Sequence, residues 1–467
     1  MPHIPPELLS AVTAPGGARL AIVIGAGCSC EPPTEMPLSR ELSIEAHRKL
    51  VHEGVLNAGE CADPMDLASL AALIFQKTGS QAALIRQFPV DKMRTARANE
   101  GYRMLIALML EGAVSHALSL NFDLAPQNAA VELGETVTVI DRPDILIPMT
   151  KTVVHLHGSV NSANDDWVLR TEAINNDWKS RWQEVVARQI LAAPNVLFVG
   201  LGSAAPVLSE TVTMIAAAVG QQKPFYQADL GEHARNDFAQ HLDVTVDRYI
   251  RGSWCEVMSR LATHLAEEQA HTLATNGAAV LRENGASDEE LTAFREIASR
   301  LTGVTLLALG RFRANAQLNL ISRYLPRTQQ DEEWTALPLK ALAGISAQAG
   351  LSAMPASTGM WHLKSGNRMR AQILLVTGRG TRKMSALETS IRSLSRAITE
   401  EVGMGPDIVL VGSVIPDVPP GSVSAPSDIV DGEESVADII TGPRIPRVLS
   451  VESGTVIEDA KEWLNAI

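Results

Sequence analysis

Leu20-Ala21-Ile22-Val23-Ile24 is a short apolar run that stops at Gly25-Ala26-Gly27. A run this short, uniformly apolar and rich in β-branched residues has the signature of a parallel strand buried on both faces. Glycine lets the backbone turn sharply and come close to a ligand, because no Cβ intervenes. Cys28 and Ser29 are expected to open onto the loop, with a helix from about Ser39. Strand, glycine turn and helix together build the crevice at the carboxyl end of an open parallel sheet, where phosphate groups bind. A lone G-x-G also suits an ordinary tight turn, and Cys30 stands where a dinucleotide fingerprint has its third glycine.

The alternation continues. Leu42, Ala46 and Leu50 share one face of a helix over 40–52, and 66–77 and 80–88 also read as helical. Residues 99–114 form a strongly apolar helix. Strands are expected at 115–120, 136–140, 152–157, 195–199, 223–230 and 244–249, with helices at 177–193, from about Pro206 and at 254–268. Residues 18–270 thus read as an α/β, Rossmann-like doubly wound parallel sheet. Within 152–157, alternation puts His155 and His157 on one face.

From 271 the texture changes. Residues 271–350 are mostly helical, with Ser287 and Glu290 as a capping box. Residues 351–467 read as a smaller α/β region, with strands at 371–376 and 407–411 and helices at 384–402 and 455–466. Residues 414–445 read as a long loop. The domains expected are therefore 1–270, 271–350 and 351–467.

Composition narrows the class. The chain has 467 residues and a net charge of −13, which argues against coating nucleic acid in bulk. Four cysteines, Cys28, Cys30, Cys61 and Cys255, are too scattered for a disulfide framework or a four-thiolate zinc site. His155 and His157 lack a third ligand at zinc-like spacing, so no metal is expected. Neither a signal peptide nor a membrane span is evident, and a cytoplasmic setting is the expectation.

Four pieces stand in order: GAGCS (25–29), SLNFD (119–123), HLHGS (155–159) and VGLGS (199–203). The set resembles the Sir2 (sirtuin-like) NAD-binding domain, and more closely its bacterial branch without a zinc ribbon. It covers about residues 18–270. Glu35-Met36-Pro37-Leu38-Ser39-Arg40 keeps only the apolar-Pro step of the family's GIPDFR-like stretch. Leu120 replaces the family's glutamine.

The resemblance implies NAD as a substrate, cleaved between nicotinamide and ribose. Such cleavage passes through an oxocarbenium-like state. The implied NAD-binding residues are Gly25, Ala26, Gly27, Ser29, Gly158, Gly200, Gly202 and Ser203, with the first four cradling phosphate and ribose through backbone N–H groups and the hydroxyl. Asn121 would hold the ribose or the attacking water. His157 would be the general base, since imidazole suits proton transfer near neutrality. Asp123 would orient the nicotinamide side or stabilise positive charge. His155 is expected to be structural, and Cys28 to pack.

Bacterial Sir2-like domains fused to other modules resemble this layout. They imply a regulated NAD+ hydrolase of antiphage defence, a homo-oligomer and/or an activating partner such as an ATPase or a nucleic-acid-guided sensor. An NAD-dependent protein deacylase and a non-catalytic NAD- or ADP-ribose-binding subunit are the alternatives. In the C-terminal part, Val376-Thr377-Gly378-Arg379-Gly380-Thr381-Arg382-Lys383 follows a strand without being a Walker A loop. With Arg368, Arg370, Arg392 and Arg396 it makes this region basic: a solvated face, or a surface for a partner or nucleic acid.

Overall fold

In the computed structural model, the described residues are 2–14, 17, 19–141, 151–170, 186, 190, 193–202, 225–328, 331–377, 384–412 and 445–466. Ser203, the helix from Pro206, most of the expected helix at 177–193, residues 378–383 and nearly all of the loop at 414–445 lie outside them.

Seven strands make one sheet: β1 (Leu20–Ile24), β2 (Val114–Ser119), β3 (Thr138–Ile140), β4 (Thr152–His155), β5 (Asn195–Val199), β6 (Phe225–Asp229) and β7 (Tyr249–Arg251). Their order is β3-β4-β2-β1-β5-β6-β7. Every pairing is parallel. All five residues of β1 are fully buried between β2 and β5, which is why the sequence there is apolar without alternation. The chain leaves β1 towards β2 and later returns on the other side as β5. That reversal opens a crevice at the carboxyl end of β1, where open α/β sheets bind ligands.

The helix Glu100–Leu110 buries nine of its eleven residues, Tyr102 among them. Asn99 caps it, its side chain accepting from the Tyr102 N–H at 3.2 Å. One core joins Val23, Leu118, Leu120, Val154, Leu156, Phe198 and Leu201.

Two expectations change here. β4 ends at His155, so alternation no longer sets the direction of His157, which follows in a turn. The strand expected at 244–249 is a short 3-10 turn, Val246–Arg248, leading into β7.

The chain divides into two compact units, Met1–Leu265 and Ala266–Ile467. The helix that starts at Trp254 runs on to Glu283. The second unit carries the helices Asp288–Ser299, Leu306–Ala316, Asp331–Ala349 and Met384–Val402 and a five-stranded sheet. Its strands are β8 (Ser352–Pro355), β9 (Trp361–Ser365), β10 (Arg368–Val376), β11 (Ile408–Val411) and β12 (Arg447–Ser450), in the order β12-β11-β10-β9-β8. β8, β9 and β10 form an antiparallel meander, and β10, β11 and β12 run parallel. Ser287 closes the expected capping box with Glu290.

Candidate functional site

The loops after β1 and β5 interlock. The Gly25 N–H donates to the Val199 carbonyl at 2.8 Å and the Gly27 N–H to the Gly200 carbonyl at 3.1 Å. A Cβ on Gly25 would stand 2.0 Å from Leu201 Cδ2 and 2.5 Å from the Gly200 oxygen. Gly200 sits at φ +71°, and a Cβ there would stand 2.6 Å from the Cys28 nitrogen. These glycines let two backbones meet, whatever else they do.

The expected phosphate cradle needs correction. Gly27–Cys30 forms a single helical turn rather than an open loop, and Cys28 and Ser29 are buried. The N–H groups of Gly25, Gly27 and Ser29 all donate to carbonyls, that of Ser29 to Ala26 at 3.0 Å. Of the four cradle residues, Ala26 alone has an N–H with no acceptor among the described residues. The Ser29 hydroxyl turns inward.

There it meets a buried network. Ser29 Oγ donates to Asp123 Oδ2 at 2.8 Å and lies 2.7 Å from the Tyr102 hydroxyl. Asn121 Nδ2 donates to the Gly25 carbonyl at 2.9 Å and to Ser29 Oγ at 3.1 Å, with the Tyr102 hydroxyl at 3.5 Å. The structure therefore joins the ends of β1 and β2 through Ser29, Asn121 and Asp123. Burial pushes the Asp123 carboxyl above the usual carboxylate range, opposed by the Ala125 N–H and the Ser29 hydroxyl.

The two histidines differ. His155 Nδ1–H donates to the Asn121 carbonyl at 2.9 Å, and its Nε2 accepts from Gln127 Nε2 at 2.5 Å. With both nitrogens engaged and burial lowering its pKa, His155 is a neutral brace for the Asn121 backbone. His157 is also buried, and burial lowers its pKa to about 4 against a hydrogen bond with the Leu120 backbone. It is thus neutral at pH 7, beside the residue that precedes Asn121. Gly158 follows at φ +85° and donates its N–H to the His155 carbonyl at 3.2 Å.

Gly202 is exposed, and a Cβ on it would stand 3.1 Å from Asp229 Oδ2 at the end of β6. Sequence reasoning missed Tyr102, Gln127 and Asp229. Tyr102 lies in a run of core residues and carries no local signal. Asp229 had one, since an acid ending a strand beside a glycine loop suits ribose hydroxyls. Cys28 Sγ donates to the Val199 carbonyl at 3.3 Å, and burial holds its thiol well above the ordinary range. Among the described residues, no three His, Cys, Asp or Glu side chains group as metal ligands. No helix among them is long and apolar enough to cross a membrane.

No protein-family model and no curated protein matches the sequence. Among solved structures the chain is similar to a Sir2 homolog–NAD complex, at 17% identity and a TM-score of 0.33, covering 56% of this chain and 94% of that one. A mutant Sir2 homologue with 2′-O-acetyl ADP ribose gives 18% and 0.35, covering 56% and 95%. A Sir2–p53 peptide–NAD+ structure gives 15% and 0.32, covering 55% and 95%.

Proposed function

We propose that this chain is a Sir2-like NAD+ hydrolase that cleaves the nicotinamide–ribose bond and releases nicotinamide and ADP-ribose. One observation carries the reading: Ser29, Asn121 and Asp123, from two strand ends, share one hydrogen-bonded cluster at the reversal point of a parallel sheet. A neutral His157 is bonded to the adjoining Leu120. An amide that donates and accepts, a neutral imidazole and a buried carboxyl are what water attack on a cationic glycoside requires.

In this reading Asn121 holds the ribose or the water, His157 takes the water's proton, and Asp123 opposes the charge that develops on the sugar. Ala26, Gly158, Gly200, Gly202 and Ser203 line the NAD path, and Asp229 joins them at the ribose of the adenosine half. Ser29, Gly25 and Gly27 shape the loop from beneath. Residues 271–467 control the activity, by assembly into a homo-oligomer or through a partner protein, because unrestrained cleavage of NAD harms the host cell. A role as an antiphage-defence effector follows from the family resemblance and that need for control.

Incubation of the chain with NAD, with and without candidate activators, followed by chromatography, tests the reading. Free nicotinamide and ADP-ribose are expected. Release that requires an acetyl-lysine peptide makes the chain a deacylase. Tight binding of NAD without cleavage under any condition makes it a sensor. Asn121→Ala and His157→Ala are expected to retain NAD binding and to lose about 10²–10⁴ in rate.

A further inference from the structure

Tyr102 lies among core residues, yet its hydroxyl ends inside the buried network. Ser29 has a single hydroxyl hydrogen, and it goes to Asp123 Oδ2 at 2.8 Å. The 2.7 Å bond between Ser29 Oγ and Tyr102 is therefore donated by the phenol. Burial holds that phenol well above its ordinary pKa, so it stays a donor. Ser29 Oγ also accepts from Asn121 Nδ2 at 3.1 Å, which fills its two lone pairs.

The Asn121 amide is oriented by these contacts. The Gly25 carbonyl, 2.9 Å away, can only accept, so the nitrogen faces it. The second amide hydrogen is shared between Ser29 Oγ and the Tyr102 hydroxyl, at 3.1 and 3.5 Å. Oδ1, with no donor among the described residues, is left for a ligand. Tyr102 is fully buried and does not itself reach NAD, whereas Asn121 keeps 8% exposure.

Trp254 holds Tyr102 in turn. It opens the helix that runs to Glu283, and it is buried. Its ring meets Tyr102 edge-on, with centroids 5.4 Å apart and planes at 63°. Its Nε1–H donates to Asn99 Oδ1 at 3.1 Å, the same oxygen that accepts from the Tyr102 N–H at 3.2 Å. Asn99 Nδ2 reaches on to the Cys28 carbonyl at 2.8 Å, beside Ser29. A Cβ on Gly101 would stand 2.2 Å from Trp254 Nε1, so glycine there admits the indole.

We propose that Tyr102 and Trp254 are positioning residues for the NAD site: Trp254 fixes the Tyr102 ring, and the Tyr102 hydroxyl, with Ser29, fixes the Asn121 amide with its oxygen towards the ligand. The kinetic consequence rests on the cleavage reading. A misplaced Asn121 leaves the grip on the rest of NAD intact and spoils the alignment of ribose and water, so the loss falls on kcat rather than KM.

The test uses the full chain, with kinetics taken under the condition that gives wild-type turnover and corrected for the folded fraction. Tyr102→Phe keeps the ring against Trp254 and removes only the hydroxyl. It is expected to lower kcat about tenfold or more with KM for NAD within about threefold. Trp254→Phe loses the N–H to Asn99 and is expected to lower kcat in the same way. Because Trp254 acts through Tyr102, the double variant is expected to be no slower than Tyr102→Phe alone. A second readout needs no turnover: NMR of the Asn121 side-chain amide, assigned by its loss in Asn121→Asp. Its hydrogens are expected to exchange about tenfold faster or more in each single variant, since fewer partners hold them. Wild-type kcat per folded molecule in Tyr102→Phe overturns the proposal, as does a double variant whose losses multiply. Amide exchange unchanged in both single variants overturns it as well. A wild-type chain that cleaves no NAD under any condition, with exchange accelerated in the variants, ends the cleavage reading and supports the brace.

Discussion

If His157 takes the proton from the attacking water, its titration sets the acid limb of the pH–rate profile. Burial lowers that pKa from 6.5 to about 4, so the imidazole stays neutral through the whole physiological range. Because kcat/KM reports the free enzyme, it should stay level from pH 8 down to about 5 and fall with a midpoint near 4. Stability carries the same signature. Between pH 4 and 6.5 the unfolded chain binds a proton at this histidine and the folded chain does not, so stability rises with pH across that window. At about 1.4 kcal/mol for each tenfold change in proton affinity, the full effect is about 3 kcal/mol, present above pH 6.5 and lost by pH 4. His155, also depressed by burial, acts in the same sense. Asp123 acts in the opposite sense: its raised pKa means that ionising it costs stability as pH climbs past 3.8. The assay pairs kcat/KM between pH 4 and 8 with NMR of histidine-labelled chain, His157 being assigned by its loss in His157→Gln. An acid limb at pH 6–7, with the His157 resonance titrating there, refutes the argument from burial. Wild-type turnover by His157→Gln refutes the base itself.

The remaining predictions concern the network and the loops. Ser29→Ala strips the Asp123 carboxyl of its hydroxyl donor and should cost about 2–3 kcal/mol in urea unfolding, against about 1 for Tyr102→Phe; equal costs would contradict the Ser29–Asp123 bond as the stronger of the two. Gly25→Ala drives a Cβ into Leu201 and the Gly200 carbonyl and should lower stability by about 1–3 kcal/mol, while Gly454→Ala, with nothing near its Cβ, should be neutral. His155→Ala should reduce stability more than cleavage per folded molecule, since its bonds run to the Asn121 carbonyl and Gln127. Elemental analysis should find no stoichiometric zinc, because the thiol sets for it are missing.

The parts of the molecule that depend on neighbours in sequence were readable from sequence. The β1 run announces a buried parallel strand because it is short, apolar without alternation, rich in β-branched residues and stopped by glycine. Ser287 announces a helix start because a cap needs only the next three residues. The ordered pieces at 25–29, 119–123 and 155–159 marked which strand ends to compare, and the structure ties Gly25, Asn121 and His155 together by hydrogen bonds.

What tertiary structure decided is where each polar group finds its partner and how much water it loses. Ser29 was expected to face the loop, yet it bonds Tyr102 and Asp123, which lie 73 and 94 residues away. The glycine N–H groups were expected to hold phosphate, yet Gly25 and Gly27 spend theirs on the β5 end, since the loops pack too closely for anything else. An imidazole reads as a base with an ordinary pKa until burial removes its solvent, as it does at His157. Local pattern determines elements because it acts through adjacent backbone. Hydrogen-bond partners and desolvation are set by chain segments that only folding brings together.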